Sequence, residues 1–288
     1  MPKVSVLMPI YNTPKEYLKK AIESILNQTF ADFEFLILND SPDNIELDKI
    51  VASYKDKRIK YFKNEKNLGI TPSRNKLIDM ARGEYLAVMD HDDISLPKRF
   101  EKEVAYLDEN PNVGVVSCKA QWFPKNKTSC NPSDDEDIRL ALMKRCVIMH
   151  PASMIRKSVL IDNKIRYEER FSPAEDYALW CRLIPYTKFH NLSDILFKYR
   201  DFGGNTSARQ KGKMDAATLA IHAFVAEKNP VLYQEFLLKA THTTRVYLFG
   251  FIPLLKIVKT GYKTNVYLFN SLLIFKYKQI QRFNGETK

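Results

Sequence analysis

The feature that most constrains this chain is a regular alternation of short apolar runs with helical patterns. Five runs of strand length are almost continuously apolar: residues 4–8, 35–38, 59–62, 85–89 and 113–117. Between them apolar side chains recur at helical spacing, as in Leu18, Ile22 and Ile25. Strands that alternate with helices predict a mostly parallel sheet, and continuous apolar strands are typical of a sheet that is covered on both faces. We therefore predict an α/β fold with flanking helices.

Polar side chains follow these strands at the points where the strands end. Pro9 and Tyr11 come after the first strand, Asp40 after the second, Asn67 shortly after the third, and residues 90–93 after the fourth. In an open parallel sheet the carboxyl ends of the strands line one crevice, and ligands bind there. The sequence therefore predicts that these separate segments meet at one ligand site.

The acidic turn Asp90-His91-Asp92-Asp93 fits a divalent metal site. Its three carboxylates repel one another unless a cation or hydrogen-bond donors compensate. Mg²⁺ or Mn²⁺ is a hard ion that prefers one or two carboxylates plus substrate phosphates, and it neutralises the charge that grows on a leaving diphosphate. The alternative is a turn that caps the next helix. The position of the turn after a buried strand, beside Asp40, favours the metal.

Two other residues at this edge suit nucleotide recognition. Asp40 can accept a hydrogen bond from the N3–H of a uracil ring, although an Asx-type turn before Pro42 is an equally good local explanation. Arg74 stands at the start of a predicted helix and can pair with a base or a diphosphate. A solvated surface arginine is the alternative for Arg74.

Further candidates lie beyond residue 118. Glu175 and Asp176 stand at the start of a predicted helix, where the helix dipole favours acids. An ionised Asp176 there suits a general base that takes a proton from an acceptor hydroxyl, and a purely capping role explains the pair equally well. His150 is a candidate substrate contact or a structural histidine. Arg200 precedes a glycine-containing stretch that can close over a diphosphate.

As a set, these segments resemble the motif series of glycosyltransferase family 2, in particular the bacterial members that build lipopolysaccharide or capsule chains. The resemblance covers roughly residues 1–205, with the motifs in the right order and spacing. It rests on residues 4–12, Asn39-Asp40-Ser41, Asn67-Leu68-Gly69, Arg74-Asn75, residues 89–93, and Glu175-Asp176 followed by Trp180.

The resemblance implies a GT-A fold, a Rossmann-like sheet with an acceptor-binding half. It implies a metal-dependent reaction with Mn²⁺ or Mg²⁺ that inverts the anomeric carbon in one displacement. The donor would be a nucleotide sugar, with UDP-hexose or UDP-N-acetylhexosamine preferred. The acceptor would be a hydroxyl of a glycan or lipid-linked glycan in surface polysaccharide synthesis.

The resemblance also implies roles for individual residues. The nucleotide-binding residues would be Pro9, Tyr11, Asp40, Asn67, Arg74 and Asp90. The metal ligands would be Asp92 and Asp90, and Asp176 would be the catalytic base. Substrate contacts would come from His91, His150, Glu175, Trp180 and Arg200. The chain departs from the family pattern at His91, which stands where a small residue is common between two acids, and at Asn39, where an Asp is common.

The last part of the chain is basic. Eight Lys and Arg and no Asp or Glu lie between Leu238 and Gly285, and the net charge of the whole chain is +11. The segment Val246-Tyr247-Leu248-Phe249 recurs twenty residues later as residues 266–269. We predict that residues 211–288 are helical and that residues 238–285 lie on an anionic membrane surface, near a lipid-linked acceptor. The alternatives are packing on the catalytic domain or a homodimer interface.

The predicted organisation is a catalytic domain over residues 1–210, followed by the basic region 211–288. Within the domain, residues 1–118 would bind the nucleotide sugar and residues 119–210 the acceptor. A strand begins almost at once, so we expect no signal peptide. The four cysteines form no CxxC pair, which favours a reducing compartment, and no apolar stretch approaches the roughly 18 residues of a spanning helix. These observations predict a cytoplasmic protein that is peripheral on the inner face of the membrane.

Two rival functions make different demands on the sequence. A nucleotidyltransferase that makes sugar nucleotides would be expected to carry a glycine-rich loop after the first strand, and residues 9–12 contain no glycine. A nucleic-acid-binding or non-catalytic membrane protein would not explain the acidic turn or Asp176, because acids in a crevice repel a phosphate backbone unless a metal is present. We therefore expect no nucleic-acid partner.

Overall fold

In the computed structural model, which describes residues 1–201, 209–239, 241–248, 252–260, 263–268 and 272–278, the first four strands lie where the sequence predicts them. The strands β1 to β4 span Val4–Ile10, Phe33–Asn39, Ile59–Lys63 and Tyr85–Val88. The helices α1 to α3 between them span Lys15–Leu26, Ile45–Ser53 and Ile70–Met80. Every residue of β1 and β2 is buried. This is the environment that continuous apolar strands require.

These strands form one side of a larger sheet in the order β3-β2-β1-β4, and all three pairings are parallel. Ile10 at the end of β1 pairs with Asn39 at the end of β2, and Asn39 pairs with Lys63 at the end of β3. The segments that follow the strands therefore leave the sheet at one edge. The predicted crevice is confirmed as a feature of the topology.

The sheet continues through strands from the second half of the first 201 residues. The strands β5 to β9 span Ile94–Ser95, Val113–Phe123, Lys127–Thr128, Met154–Arg156 and Lys188–Arg200. The strand β8 runs antiparallel to both β4 and β6, and β6 runs parallel to β9. The sheet is therefore parallel from β3 to β4 and mixed beyond β4.

The remaining helices of this region cover the sheet and carry part of the site. The helices α4 to α7 span Arg99–Glu109, Asp135–Leu142, Lys157–Asp162 and Glu175–Leu183. Short 3-10 turns span His150–Ala152 and Glu169–Phe171. The helix α4 buries Phe100, Val104 and Leu107, and burial of such a side chain stabilises the fold by about 1.5–3 kcal/mol.

A buried ion pair in α4 supports the strand that leads to the acidic turn. Arg99 and Glu103 are both fully buried, and their side chains approach to 3.2 Å. Arg99 also donates hydrogen bonds from Nη2 to the carbonyl oxygens of Val88 (2.8 Å) and Ser153 (3.2 Å). Burial raises the pKa of Glu103 to about 7, although Arg99 opposes this shift. The pair thus joins the end of β4 to the residue before β8.

The chain divides into two compact units, Met1–Val225 and Ala226–Lys288. The helix α8 spans Lys211–Lys228, and α9 spans Pro230–Lys239. The predicted helical extension is therefore confirmed over these residues. Among the helices of the described ranges, none is long and apolar enough to cross a membrane. The functional boundaries predicted at residues 118 and 210 stay predictions.

Beyond residue 240, the prediction of helix was wrong for the residues that the structure describes. The strands β10 to β13 span Thr241–Leu248, Ile252–Thr260, Lys263–Leu268 and Leu272–Lys278 and form an antiparallel sheet in chain order. Gly250, Pro253 and Gly261 interrupt any helix in this segment, and its β-branched and aromatic residues favour strands. Residues 246–248 and 266–268 of the twenty-residue repeat lie in the alternate strands β10 and β12.

Candidate active site

A cavity of about 290 Å³ lies at the edge where β1 and β2 end. It is lined by Tyr11, Asn12, Asp40, Ser41, Pro42, Asp43, Asn44, Glu65, Lys66 and Asn67. Its size approaches that of small-molecule sites, which begin near 300 Å³. Three of the residues predicted to bind the nucleotide thus line one cavity, namely Tyr11, Asp40 and Asn67. Pro9 is buried within β1 and does not line it.

Asp40 is almost fully buried and holds the loop that follows β3. Its Oδ1 accepts hydrogen bonds from Asn64 Nδ2 (2.7 Å) and the backbone N–H of Leu68 (2.8 Å), and its Oδ2 accepts one from the N–H of Gly69 (2.8 Å). Gly69 has a φ of 89°, a conformation that a glycine adopts without strain. Asp40 therefore shapes one wall of the cavity. Its hydrogen bond to a base stays a prediction.

The opposite wall joins the loops that follow β1 and β2. The backbone N–H of Asn12 donates to Ser41 Oγ (2.7 Å), and Asn44 Nδ2 donates to Asn12 Oδ1 (3.2 Å). Asn12 has a φ of 44°, in the left-handed region that asparagine tolerates better than most residues. Tyr11 is left 50% exposed at the mouth of the cavity. Its ring is available to stack on a planar ligand.

Arg74 bridges two acids that belong to different halves of the fold. Its Nη1 lies 2.8 Å from Glu175 Oε1, and its Nη2 lies 3.2 Å from Asp90 Oδ1. The interior position lowers the pKa of Arg74, but the charges of Asp90 and Glu175 outweigh this effect and raise the pKa above its ordinary value. The structure thus brings together the predicted nucleotide residues Arg74 and Asp90 with the helix α7. The solvated surface alternative for Arg74 is wrong, because only 11% of its side chain is exposed.

Asp176 lies at the start of α7, beside this ion pair. Burial and, after it, the charge of the neighbouring Glu175 raise the pKa of Asp176 to about 6, although Arg74 opposes this shift. Its Oδ1 accepts one hydrogen bond, from the backbone N–H of Tyr177 at 2.7 Å. Glu175 is 4% exposed, and its Oε2 has no hydrogen-bond partner within the described residues. A carboxylate with a pKa near 6 is well matched to general-base chemistry at neutral pH.

The acidic turn divides into residues that face the crevice and one that holds the fold. Asp90, His91 and Asp92 are half-buried. Asp93 is 1% exposed, and its Oδ1 accepts a hydrogen bond from the backbone N–H of Arg200 at 2.7 Å. Asp93 does not cap a helix, because α4 begins only at Arg99. The capping alternative for this turn is therefore wrong.

The donor set of the turn fits a divalent ion that is shared with a diphosphate. In the part of the chain that the structure describes, no three His, Cys, Asp or Glu side chains converge to hold a metal by themselves. Burial and the repulsion of Asp90 raise the pKa of Asp92, although His91 and Arg200 oppose this shift. The Nδ1 of His91 is buried and has no hydrogen-bond partner among the described residues. Asp90 and Asp92 fit a metal whose other ligands are phosphate oxygens.

Arg200 closes the turn from the other side. Its Nε donates to the carbonyl oxygen of Asp92 at 2.6 Å. Its guanidinium group lies 3.9 Å from the ring centroid of Tyr17 and 4.5 Å from that of Phe123. Arg200 thus holds the backbone of the acidic turn. The glycine-containing stretch predicted to close over a diphosphate falls at residues 202–208, outside the described residues.

Three of the predicted substrate contacts are buried, namely Glu175, His150 and Trp180. His150 is 3% exposed, and its Nε2 is hydrogen-bonded to the hydroxyl of Tyr167 at 2.8 Å. Burial, together with the charge of Arg74, holds the pKa of His150 well below its ordinary value, so the imidazole is neutral. Trp180 is 0% exposed. The prediction that Trp180 contacts a substrate was wrong, because the apolar face of α7 carries its side chain into the core.

A comparison with protein families shows the family of the chain. A family model described as glycosyl transferase family 2 matches residues 5–163. This chain belongs to glycosyl transferase family 2. The matched range contains β1 to β4, the cavity, Arg74 and the acidic turn.

Relatives of the chain are similar over most of its length. An uncharacterized glycosyltransferase of Methanocaldococcus jannaschii is 39% identical over 207 residues, which are 69% of this chain and 71% of the relative. The O-antigen biosynthesis glycosyltransferase WbnJ of Escherichia coli is 29% identical over 235 residues, which are 78% of this chain and 90% of WbnJ. This family 2 protein is therefore a glycosyltransferase, and sugar transfer is the chemistry that its site supports.

Solved structures confirm the predicted GT-A fold. S. aureus TarS in complex with UDP-GlcNAc has a TM-score of 0.67 and 22% identity, covering 82% of this chain and 72% of that one. The mannosyltransferase PcManGT from Pyrobaculum calidifontis, in complex with GDP-Man and Mn²⁺, has a TM-score of 0.60 and 16% identity, covering 82% and 69%. At these identities the likeness shows the fold alone.

Sequence reasoning missed several residues of this glycosyltransferase site. Asn64 orients Asp40, Asn75 and Tyr167 hold each other beside Arg74, and Tyr17 packs against Arg200. Asn75 belongs to a segment that resembles the family motifs, but the resemblance implies no role for it. Tyr167 lies outside these segments and does not follow one of the strands β1 to β4, so only the tertiary structure shows its position beside Arg74.

Proposed function

We propose that this family 2 glycosyltransferase is an inverting, metal-dependent enzyme that moves a sugar from a nucleotide sugar to a hydroxyl of a glycan or lipid-linked glycan. The observation that carries the proposal is the ion-pair bridge of Arg74 between Asp90 and Glu175. One end of the bridge lies at the predicted donor site, and the other adjoins Asp176. The bridge therefore supports a donor and a base on opposite sides of one crevice.

Asp176 is the proposed base. With a pKa of about 6 it is mostly ionised at neutral pH and can take the proton of an acceptor hydroxyl. As the proton moves to Asp176, the acceptor oxygen forms a bond to the anomeric carbon, and the bond from that carbon to the diphosphate breaks. A single displacement of this kind inverts the anomeric carbon. The negative charge leaves on the nucleoside diphosphate.

Asp92 and Asp90 are the residues that would hold Mn²⁺ or Mg²⁺. Such an ion, when bound, would neutralise the charge that develops on the leaving diphosphate. Arg200 and Asp93 fix the backbone of the turn through Asp92 O and Arg200 N. The carboxylates are thereby oriented before any ligand binds. His91 is a candidate for a further contact with the metal or the sugar.

The proposed donor is a UDP-sugar, a UDP-hexose or UDP-N-acetylhexosamine. Tyr11 would stack on the base, while Asp40 and Asn67 would form the walls around it. TarS, which shares the fold, was solved with UDP-GlcNAc, whereas PcManGT was solved with GDP-Man. The similarity to WbnJ, an O-antigen biosynthesis enzyme, supports a role in surface polysaccharide synthesis.

The nucleotide preference can be tested by thermal unfolding with UDP, GDP and dTDP, each with and without Mn²⁺. We expect UDP with Mn²⁺ to raise the Tm most, since a ligand that binds only the folded state stabilises it. Hydrolysis and transfer are then followed with UDP-hexoses and UDP-N-acetylhexosamines. The proposal fails if no nucleotide raises the Tm in the presence of metal.

We also propose that the basic segment 238–285 associates with an anionic membrane surface, on the inner face of the cytoplasmic membrane. Its eight Lys and Arg and its lack of acids support this, with each basic residue near the surface contributing on the order of 1 kcal/mol. Replacing Lys256, Lys259 and Lys263 by Gln should weaken co-sedimentation with vesicles that contain phosphatidylserine. A matched control replaces the exposed residues Lys20, Lys55 and Lys57 by Gln. Equal binding of both triple variants would contradict membrane association through this segment.

A further inference from the structure

Tyr167 lies beside Arg74, which forms the ion-pair bridge, and beside the next residue, Asn75. Asn75 Nδ2 donates to the carbonyl oxygen of Tyr167 (2.9 Å), and the backbone N–H of Tyr167 donates to Asn75 Oδ1 (3.0 Å). This pair of hydrogen bonds fixes the backbone of Tyr167 against α3. Because Arg74 and Asn75 are consecutive, the position of Tyr167 is tied directly to that of Arg74.

The ring of Tyr167 packs under the Arg74 guanidinium group. The guanidinium carbon lies 5.6 Å from the ring centroid, and Tyr167 is only 5% exposed. A cation over an aromatic face within about 6 Å is attracted to the ring, and more strongly when water is excluded. The ring thus forms a surface on which Arg74 can rest while it reaches both acids.

The hydroxyl of Tyr167 is held from below by the neutral His150. The distance from the hydroxyl oxygen to His150 Nε2 is 2.8 Å. His150 belongs to the 3-10 turn that precedes β8, and its ring centroid lies 5.8 Å from that of Trp180 in α7. Tyr167 therefore connects α3, the turn before β8 and, through His150, the helix that carries Asp176.

We propose that Tyr167 is a positioning residue for sugar transfer: it holds Arg74 between Asp90 and Glu175 and thereby fixes the base-bearing helix relative to the donor. This inference rests on the proposed function, since it assigns the reaction's base to α7. Tyr167 itself does not touch the reacting atoms. Nothing in the sequence pattern distinguishes it from an ordinary core tyrosine.

The proposal predicts an effect on the ionisation of Asp176. The titratable and charged groups that act on Asp176 are Glu175, Arg74, Asp90, Tyr167, Cys146 and Cys181. Of these, Arg74 is the cation that favours the ionised carboxylate. If Arg74 moves away, the pKa of Asp176 rises, and the acid limb of the kcat profile moves to higher pH.

The test compares Tyr167→Leu with Tyr167→Phe in the full chain. Tyr167→Leu removes the ring, so we expect kcat to fall about tenfold, the donor KM to change less than threefold, and the acid limb to move up by roughly half a pH unit or more. Tyr167→Phe keeps the ring and should retain most of kcat and the wild-type pH profile. Tyr85→Phe is the matched control for Tyr167→Phe, because it removes the hydroxyl of another buried tyrosine, which donates to Asp108 of α4.

A second measurement does not depend on turnover. In a double-mutant cycle, the loss of Tm in the combined Arg74→Met and Tyr167→Leu variant should be smaller than the sum of the two single losses. Additive losses would overturn the proposal, as would a Tyr167→Leu enzyme with wild-type kcat and pH profile. If Tyr167→Leu does not fold, Asn75→Asp serves as the second variant. It keeps the hydrogen bond from the Tyr167 N–H and loses the one to the Tyr167 carbonyl oxygen, so we expect a smaller fall in kcat and a smaller shift of the acid limb. If the wild-type protein binds no nucleotide, that result contradicts the proposed function instead.

Discussion

Asp40 and Asp176 are both acids at the crevice, and the structure uses them in opposite ways. Asp40 accepts three hydrogen bonds, two of them from the backbone of Leu68 and Gly69. Asp176 accepts one, lies beside the like charge of Glu175, and has a pKa of about 6. The first carboxylate shapes a loop through both of its oxygens. The second keeps an oxygen and a proton affinity that are available for chemistry.

The difference teaches that residue type and position at a strand or helix end do not settle the role of an acid. What decides is the number of donors that the surrounding backbone supplies. A carboxylate that receives several N–H groups is stabilised as a structural anion, whereas a desolvated carboxylate beside another acid holds its proton more tightly. Asp93 is an intermediate case, since one of its oxygens accepts the N–H of Arg200 and the other has no partner among the described residues.

The largest effect should come from Asp176→Asn. An amide cannot accept the acceptor's proton, so we expect kcat to fall at least about 100-fold, within the range of general-base contributions. The Tm shift caused by the nucleotide and Mn²⁺ should stay as in the wild type. Glu169→Gln, an exposed acid nearby, is the control and should keep full activity. Loss of nucleotide binding in Asp176→Asn would remove Asp176 from the base role.

Asp40→Ala should damage stability first. It removes three hydrogen bonds, each worth about 0.5–1.5 kcal/mol. The Gly69 N–H and the Asn64 amide keep a second acceptor, Asn67 Oδ1 and Ser73 Oγ, whereas the Leu68 N–H has no other among the described residues. We expect the free energy of unfolding in urea to fall by roughly 3 kcal/mol, with weaker nucleotide binding. Asp43→Ala, on the exposed side of the same cavity, should change it by less than about 0.5 kcal/mol. Equal stability of both variants would contradict the structural role of Asp40.

The acid limb of the kcat profile should report the ionisation of Asp176. A base must be deprotonated to act, so kcat should be constant above the pKa of about 6 and fall tenfold for each pH unit below it. At pH 5 this leaves roughly one tenth of the plateau value. The limb should be absent from the residual activity of Asp176→Asn. A limb near the ordinary pKa of an aspartate, about 3.9, would contradict the raised pKa.

The smallest effect should come from Tyr11→Ala. Tyr11 is 50% exposed at the mouth of the cavity, so its loss should leave the Tm of the free protein within about one degree. Nucleotide affinity should fall about tenfold, because stacking of a base on an aromatic ring contributes about 1–3 kcal/mol. Tyr11→Phe keeps the ring and should bind as the wild type does. Isothermal titration with UDP and Mn²⁺ distinguishes the two variants.

The sequence alone determined the alternation of β1 to β4 with their helices, because apolar periodicity is a local property of the chain. It also placed Tyr11, Asp40, Asn67 and the acidic turn at one edge, since parallel strands bring their carboxyl ends together. The same local reasoning was wrong for the described residues beyond 240. There the prediction followed the mixture of apolar and basic residues and gave too little weight to Pro253 and to the β-branched and aromatic residues, which favour strands.

Only the tertiary structure decided which charged groups meet. Arg74 pairs with Glu175 across 101 residues, and no spacing rule connects residues so far apart. Packing likewise decided that Trp180 is core and that Tyr167 lies under Arg74. The physical reason is that a local pattern fixes which face of an element is apolar. The neighbours that reach a polar group, and hence its charge state, depend on how distant elements pack around it.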